Sequence, residues 1–192
     1  DQLMEKKGAF YKYRQLQLWW VRDMNELPKR KNIRLKEYDY NTSGAYFVTF
    51  CTHNRKHLLS RVVGAIHESP VPQLTAYGQI VEGIIQNIPH RFSLHIDKYV
   101  IMPNHVHLLV SIDGEIRAIH ESPLRGRSEL SKMIGYIKMN ASKRIRETAE
   151  CLDVWQRGFY DHIIRNQADY DEIYRYIENN PVQWEQDELY TQ

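Results

Sequence analysis

Hydrophobic residues alternate with polar ones in some stretches of the chain and recur every three or four positions in others. The strand-like stretches are rich in aromatic and β-branched residues and are bounded by turn-forming residues; they are AYFVTFCT (45–52), SLHIDKYVIM (93–102), NHVHLLVSI (104–112) and VWQRGFYDHIIR (154–165). The stretches with helical spacing are residues 73–88, 129–150 and 168–180. Pro89 and Pro181 predict where the first and last of these helices end.

The order of these elements is β-α-β-β-α-β-α. It is the order of the split βαβ arrangement, in which a four-stranded antiparallel sheet is backed by two helices. The predicted fold class is therefore α+β, of the ferredoxin-like or RRM-like type, with one additional C-terminal helix. We expect the two helices to cover one face of the sheet and the other face to remain open for a site.

The N-terminal part of the chain has a different pattern. Residues 9–27 mix aromatic and charged residues at loosely helical spacing, and Pro28 and the basic segment KRKNIRLK (29–36) interrupt it. We therefore divide the chain into an N-terminal helix with a basic arm (1–36) and one folded domain (37–192).

The amino-acid composition excludes only a few classes of function. The chain has 192 residues and a net charge of +2, which does not by itself indicate a polyanionic partner. The two cysteines, Cys51 and Cys151, lack the C-x-x-C spacing of a zinc knuckle and favour a reducing compartment, so we expect a cytoplasmic protein. The longest apolar runs fall short of the roughly 20 residues that span a bilayer, so no membrane association is expected.

The stretch MPNHVHLLV (102–110) places His105 and His107 one residue apart in a predicted strand. Alternation directs Val106 and Leu108 to one side of the strand and both histidines to the other. Their Cα atoms would lie roughly 6.6 Å apart, so both rings can reach one divalent ion. Two polar residues on the solvent side of a half-exposed strand are the commoner explanation of an isolated H-x-H pattern. A metal site also requires a further ligand and a group for the metal to act on.

The last predicted helix offers both. Tyr176 and Asn180 are four residues apart and share one helical face, so Tyr176 could act as a nucleophile and Asn180 as an oxygen ligand. Alternatively, Tyr176 packs structurally beside Ile173, as most of the 13 tyrosines must. Tyr170 and Tyr174 lie on a different stripe that can bury against the sheet, which leaves Tyr176 and Asn180 to border the histidines.

Four blocks of sequence, in this order, resemble one known family: RKNIRLKEYDYNTSGAYFVTFCTHNR, YVIMPNHVHLLV, VWQRGFYDHIIRN and YIENNPVQW. They are similar to the REP-associated tyrosine transposases, a branch of the single-tyrosine HUH transposases, and the similarity covers roughly residues 29–187. The resemblance implies a single-strand DNA endonuclease and strand transferase. Such an enzyme nicks DNA beside hairpins through a 5′-phosphotyrosine intermediate.

The resemblance also implies a role for each candidate residue. His105 and His107 form the H-hydrophobic-H motif that binds a divalent ion, expected to be Mg²⁺ or Mn²⁺. Tyr176 is the catalytic tyrosine, and Asn180, one turn later, completes the metal site. Related insertion-sequence transposases usually carry glutamine at this position, so direct contact between the shorter Asn180 and the metal remains open.

Basic residues cluster on the second long helix and in the N-terminal arm. The candidates for DNA binding are Lys132, Lys138, Lys143 and Arg144 on the helix and Arg30, Lys31 and Arg34 in the arm. A run of charge is usually only a solvated face. Here the compensating acids lie in the C-terminal stretch: Asp169, Asp171, Glu172, Glu178, Glu185, Asp187 and Glu188. We therefore expect a polarised surface whose basic side follows phosphates.

The expected partner is single-stranded or hairpin DNA formed by REP-like palindromes. The resemblance to the REP-associated branch implies a monomer, and a dimer is the alternative. Two other functions remain open from sequence. One is a non-catalytic nucleic-acid-binding module of RRM-like fold, although such modules present aromatic residues on the sheet rather than histidines. The other is a metal-dependent hydrolase that uses activated water. His162 is a rival metal ligand and is interpreted as structural.

Overall fold

The computed structural model describes residues 43–64, 70–112, 128–148 and 153–191. Within these ranges the strands are β1 (Gly44–Cys51), β2 (Ser60–Val63), β3 (Val71–Leu74), β4 (His95–Ile101), β5 (His105–Ile112) and β6 (Tyr160–Ile164). The α-helices are α1 (Ala76–Gln86), α2 (Glu129–Arg146) and α3 (Gln167–Asn179), and a 3₁₀ helix (Pro181–Gln186) follows α3. The N-terminal helix and basic arm predicted for residues 1–36, with Arg30, Lys31 and Arg34, lie outside the described residues.

Four strands form one antiparallel sheet in the order β4-β5-β1-β6. This order is that of the split βαβ arrangement, so the predicted α+β fold class is confirmed. Strands β2 and β3 pair with each other in a separate hairpin between β1 and α1. The sequence pattern did not predict this hairpin, because strands of four residues are too short to display a clear alternation.

Polar side chains set where the helices begin. The hydroxyl of Thr75 accepts a hydrogen bond from the backbone nitrogen of Gly78, so α1 begins at Ala76 rather than at residue 73. In the same way Asn166 accepts from the backbone nitrogen of Asp169 at the start of α3. Strand β6 is shorter than the predicted 154–165, since Gly158 adopts a φ of 73° that interrupts extended pairing.

One face of the sheet forms the main hydrophobic core with α1 and α2. Alternate residues of the two central strands point into this core; they are Tyr46, Val48, Phe50, Val106, Leu108 and Val110. The stripe of α2 predicted from its spacing is buried against them and comprises Leu130, Met133, Ile134, Ile137, Ala141 and Ile145. Each fully buried Leu, Ile or Met side chain among them contributes roughly 1.5–3 kcal/mol, so this face accounts for much of the stability.

The opposite face is covered by α3 and the 3₁₀ helix, so the expectation of an open face is wrong. Ile173 and Ile177 of α3 pack against Phe47 and Leu109 of the sheet, and Trp184 extends the contact beyond the end of α3. The apolar stripe of α3 must be buried somewhere, and the sheet offers the complementary apolar positions. The site on this face is therefore enclosed.

No described helix combines the length and the apolar character needed to cross a lipid bilayer.

Candidate active site

His105 and His107 lie at the beginning of β5, on the face covered by α3. Their rings are adjacent, with centroids 4.4 Å apart, as strand alternation predicts. Strand β1 pairs with β5 so that Cys51 lies opposite His105 and Thr49 opposite His107. Both histidines are 0% exposed. The two imidazoles therefore belong to a buried site rather than to a solvent-facing strand.

The side chain of Asn104 fixes the protonation of His105. Its Nδ2 donates to the backbone oxygen of Leu189 at 2.6 Å, and its Oδ1 lies 2.8 Å from Nδ1 of His105. A backbone oxygen only accepts, so the amide oxygen must be the atom that faces His105. Nδ1 of His105 therefore carries the proton and donates it. Nε2 keeps its electron pair, and this atom is buried without a hydrogen-bond partner.

His107 is held in a similar way by the neighbouring strand. The hydroxyl oxygen of Thr49 lies 2.7 Å from Nδ1 of His107, and Nε2 of His107 is buried without a partner. A hydroxyl can donate or accept, so this bond orients the ring without selecting its tautomer. An oxygen partner on the second ring nitrogen is the usual support for an imidazole that binds metal.

Burial keeps both imidazoles neutral. It lowers the pKa of His105 to about 4, against smaller opposing effects from the Asp187 carboxylate and the Asn180 amide beside it. Burial also lowers the pKa of His107 well below its usual range, and the neighbouring His105 lowers it further. Neutral imidazole is the form that coordinates a metal ion.

Asn180 lies at the C-terminal end of α3 and is buried. Its Nδ2 donates to Oδ2 of Asp187 at 2.8 Å. A carboxylate oxygen without a proton only accepts, so this bond fixes the orientation of the Asn180 amide. It leaves Oδ1 of Asn180 as a third buried atom without a hydrogen-bond partner.

Asp187 is the residue that sequence reasoning missed. In the sequence it is one of the compensating acids of the C-terminal stretch. In the structure, one of its carboxylate oxygens and one ring nitrogen from each of His105 and His107 lie within 4.8 Å of one another. The 3₁₀ helix turns the chain after Asn180 and brings Asp187 back to the histidines. The only signal in the sequence is an acidic residue soon after the YIENNP block.

Tyr176 lies beside the histidines. Its ring centroid is 5.4 Å from that of His107 and 5.8 Å from that of Phe47, which it meets edge to face. Tyr170 and Tyr174 point instead towards β4: the hydroxyl of Tyr170 donates to Asp97 at 3.0 Å. The separation of the α3 tyrosines into two stripes is thus as expected, and Tyr176 is the one next to a histidine.

His162 has a different environment. It pairs with Phe47 across β6 and β1, so it lies on the same face of the sheet. Its Nε2 is 3.1 Å from Oδ2 of Asp169, in the first turn of α3. This contact ties β6 to α3 and agrees with a structural role.

The four basic candidates on α2 fall into three environments. Nζ of Lys138 donates to the backbone oxygens of Gln156, at 2.9 Å, and Gly158, and burial lowers its pKa to about 8. Lys132 forms an ion pair of 2.6 Å with Glu129, one turn earlier. The remaining two, Lys143 and Arg144, are exposed at the end of the helix. Lys138 therefore anchors the segment before β6, while Lys143 and Arg144 face solvent.

The chain is similar to one protein family, to a protein of known sequence and to two solved structures. Residues 40–180 match the family of IS200-like transposases. A protein of Haemophilus influenzae, described as uncharacterized, is 38% identical over 172 residues, which cover 84% of this chain and 93% of that protein. A REP-associated tyrosine transposase, whose structure was determined bound to a REP hairpin, aligns with a TM-score of 0.54 at 22% identity over 79% of this chain and 74% of its own.

A putative transposase from Deinococcus radiodurans aligns with a TM-score of 0.43 at 16% identity, over 76% of this chain and 95% of its own. The family match extends from just before β1 to Asn180 and so includes both histidines and Tyr176. The fold is shared with the REP-associated transposase. The family match confirms the transposase resemblance that the four sequence blocks indicated, and the chain belongs to the family of IS200-like transposases.

Proposed function

We propose that this transposase is a single-strand DNA endonuclease and strand transferase that nicks DNA beside hairpins and uses Tyr176 as the nucleophile. One observation carries the proposal. The ring of Tyr176 lies next to His107, at a point where two imidazole nitrogens and an amide oxygen are buried without hydrogen-bond partners. A nucleophile of this kind is expected beside the group that binds the reacting phosphate.

The residues present fit a divalent cation. Leaving a buried polar atom without a partner costs about 1–3 kcal/mol, so three such atoms in one place favour a bound ligand. Two imidazole nitrogens and an amide oxygen suit Mn²⁺ well and accept Mg²⁺, with the phosphate of the substrate as an additional oxygen ligand. The cation would polarise the scissile phosphate and stabilise charge on the departing oxygen.

Tyr176 would form the covalent link. A tyrosine phenol ordinarily has a pKa of about 10 and is protonated at neutral pH, so the proton must leave as the oxygen attacks phosphorus. The new bond joins the Tyr176 oxygen to the 5′-phosphate, the bond from phosphorus to the 3′ oxygen breaks, and that oxygen takes up a proton. Attack by another 3′-hydroxyl on the phosphotyrosine reverses the exchange and joins strands without ATP.

DNA must gain access to this enclosed site. Both histidines have no exposed surface, and α3 with the 3₁₀ helix covers them. A phosphate can therefore reach Tyr176 and the histidines together only if α3 or the segment after it shifts. Tyr176 itself is only half-buried, so part of its side chain is already accessible before any such shift.

Hairpin DNA is the substrate that we propose. The REP-associated transposase of the same fold is described as bound to a REP hairpin. On this chain Lys143 and Arg144 are exposed cations suited to phosphate contacts, with Lys132 beside Glu129 as a weaker one. Lys138 would contribute mainly through packing, while Arg30, Lys31 and Arg34 remain candidates for reading the hairpin. We propose that the protein acts in the cytoplasm as a monomer, with a dimer as the alternative.

The test is covalent trapping on a single-stranded hairpin oligonucleotide with Mn²⁺. We expect a denaturant-resistant protein–DNA adduct that disappears in Tyr176→Phe and persists in Tyr174→Phe, a tyrosine of the same helix that contacts Lys98 instead. Cleavage that survives Tyr176→Phe would support a hydrolase acting through water. Binding without cleavage by the unaltered protein would support a nucleic-acid-binding module.

A further inference from the structure

The carboxylate of Asp187 reaches the histidine pair from a part of the chain outside the family match, which ends at residue 180. One of its oxygens lies within 4.8 Å of ring nitrogens of both His105 and His107. Ligands of a single cation are separated by about 3–4.5 Å, since each lies roughly 2.0–2.3 Å from it. The carboxylate is thus close to the separation that direct coordination requires.

Two hydrogen bonds hold the Asp187 carboxylate in this position. Oδ2 accepts from Nδ2 of Asn180 at 2.8 Å, and Oδ1 accepts from the backbone nitrogen of Leu189 at 2.7 Å. Leu189 in turn accepts the bond from Asn104 that orients His105. Each carboxylate oxygen has a further lone pair, so these bonds leave capacity for a cation.

A divalent cation at this site would also be stabilised by an anionic ligand. Imidazole and amide ligands bring no negative charge, and the side chains of His105 and His107 are completely buried. Burying a divalent cation among neutral ligands alone is costly. A carboxylate beside them halves the net charge and supplies a hard oxygen, the preferred ligand type of Mg²⁺ and Mn²⁺.

We infer that Asp187 is a direct ligand of the divalent cation bound by His105, His107 and Asn180. The inference rests on the proposed function only in requiring a cation at the two histidines. The rival explanation is that Asp187 acts solely through Asn180, by holding its amide in one orientation. The two explanations differ in what Asp187 contributes once the Asn180 side chain has been removed.

A double-mutant cycle separates them. Mn²⁺ affinity of the full chain is measured without DNA, from the electron paramagnetic resonance signal of free Mn²⁺, for the unaltered protein, Asp187→Asn, Asn180→Ala and the double variant. A direct ligand predicts that Asp187→Asn weakens Mn²⁺ binding at least about tenfold in both backgrounds. An orienting role predicts no further loss when Asn180 is already alanine, and this result would overturn the inference.

Glu185→Gln is the matched control, because it removes an exposed acidic charge two residues away on the 3₁₀ helix. It should leave Mn²⁺ affinity unchanged if the effect of Asp187 is local. His105→Ala and His107→Ala test the underlying site. If these variants bind Mn²⁺ as well as the unaltered protein, the cation site of the proposed function fails as well. If they lose binding while Asp187→Asn keeps it, only this inference fails.

A ligand exchange gives an independent readout if Asp187→Asn does not fold. In a background without native thiols (Cys51→Ala and Cys151→Ser), Asp187→Cys is titrated with Cd²⁺, and Glu185→Cys serves as the control. Thiolate is a soft ligand for which Cd²⁺ has high affinity. We expect an ultraviolet thiolate-to-cadmium absorption band at one equivalent in Asp187→Cys and none in the control. Stoichiometric Cd²⁺ binding to Asp187→Cys without that band would contradict direct coordination.

Discussion

Both faces of the main sheet are buried, but the side chains buried on them differ in chemical type. The face under α1 and α2 is filled by aliphatic and aromatic side chains such as Leu108. The face under α3 combines apolar residues such as Leu109 with two histidines and with Asn180. Buried polar atoms without partners are unfavourable for folding. The difference indicates that the α3 face gives up part of its stability to hold these polar side chains, as the proposed site requires, whereas the other face is packed with apolar side chains.

The most direct test of this difference is to truncate two nearby residues of β5 whose side chains point to opposite faces of the sheet. His105→Ala should lower the rate of Mn²⁺-dependent nicking by at least about 10²-fold, because a ligand of the charge-stabilising site is removed. Leu108→Ala should lower the free energy of unfolding by about 2–5 kcal/mol and leave the nicking rate of the folded protein nearly unchanged. Nicking assays and urea denaturation measure the two effects. A His105→Ala protein that nicks normally would remove the functional distinction between the faces.

Acidification should destabilise the α3 face selectively in the metal-free protein. The pKa of His105 is lowered to about 4, whereas in the unfolded chain it is about 6.5. The unfolded state therefore binds a proton between these values that the folded state does not. The contribution of His105 is complete above pH 6.5 and is lost as the pH falls towards 4, by about 3 kcal/mol. Among the described residues of the core cluster with α1 and α2, none is a histidine.

Urea denaturation at several pH values measures this dependence. His105→Gln cannot take up the proton, so its free energy of unfolding should fall less steeply than that of the unaltered protein between pH 6.5 and 4. Parallel curves for the two proteins would show that burial of His105 does not couple folding to protonation.

Removing the hydrogen-bond partner of His105 should impair the site less than removing His105 itself. Asn104→Ala deletes the acceptor that fixes the His105 tautomer but leaves both imidazoles in place. We expect about 10- to 100-fold weaker Mn²⁺ binding, the usual effect of losing such a partner. Asn87→Ala, at an exposed amide after α1, is the control. Isothermal titration measures the affinities, and equal values for Asn104→Ala and the unaltered protein would contradict the assigned role.

The smallest effect is expected for substitutions of basic residues on the surface of α2, outside both packed faces of the sheet. Lys143→Gln and Arg144→Gln should each weaken hairpin binding several-fold. Each should also reduce the slope of log affinity against log salt concentration by about 0.7–0.9, because one phosphate is no longer neutralised. Lys132→Gln should do less, because Lys132 is already paired with Glu129. Fluorescence anisotropy across a range of salt concentrations measures both quantities, and binding that does not depend on salt would exclude this surface as the phosphate-binding side.

Local patterns predicted much of the fold. Alternation along β5 set His105 and His107 on one side, and the spacing on α2 identified its buried stripe, because both are properties of a single element. The pattern could not predict that α3 encloses the histidines, since an apolar stripe does not specify the surface on which it packs. It also could not predict the position of Asp187, which depends on the turn of the 3₁₀ helix and on its hydrogen bond to Asn180.

The most direct measurement is to identify the residue that carries DNA after trapping. The protein is incubated with a hairpin oligonucleotide and Mn²⁺ and digested with protease and nuclease. Its peptides are then sequenced by mass spectrometry. The account predicts a nucleotide attached through a 5′-phosphate to Tyr176 and to no other tyrosine of α3. Attachment at Tyr170 or Tyr174, or cleaved DNA with a free 5′-phosphate and no covalent peptide, would contradict it.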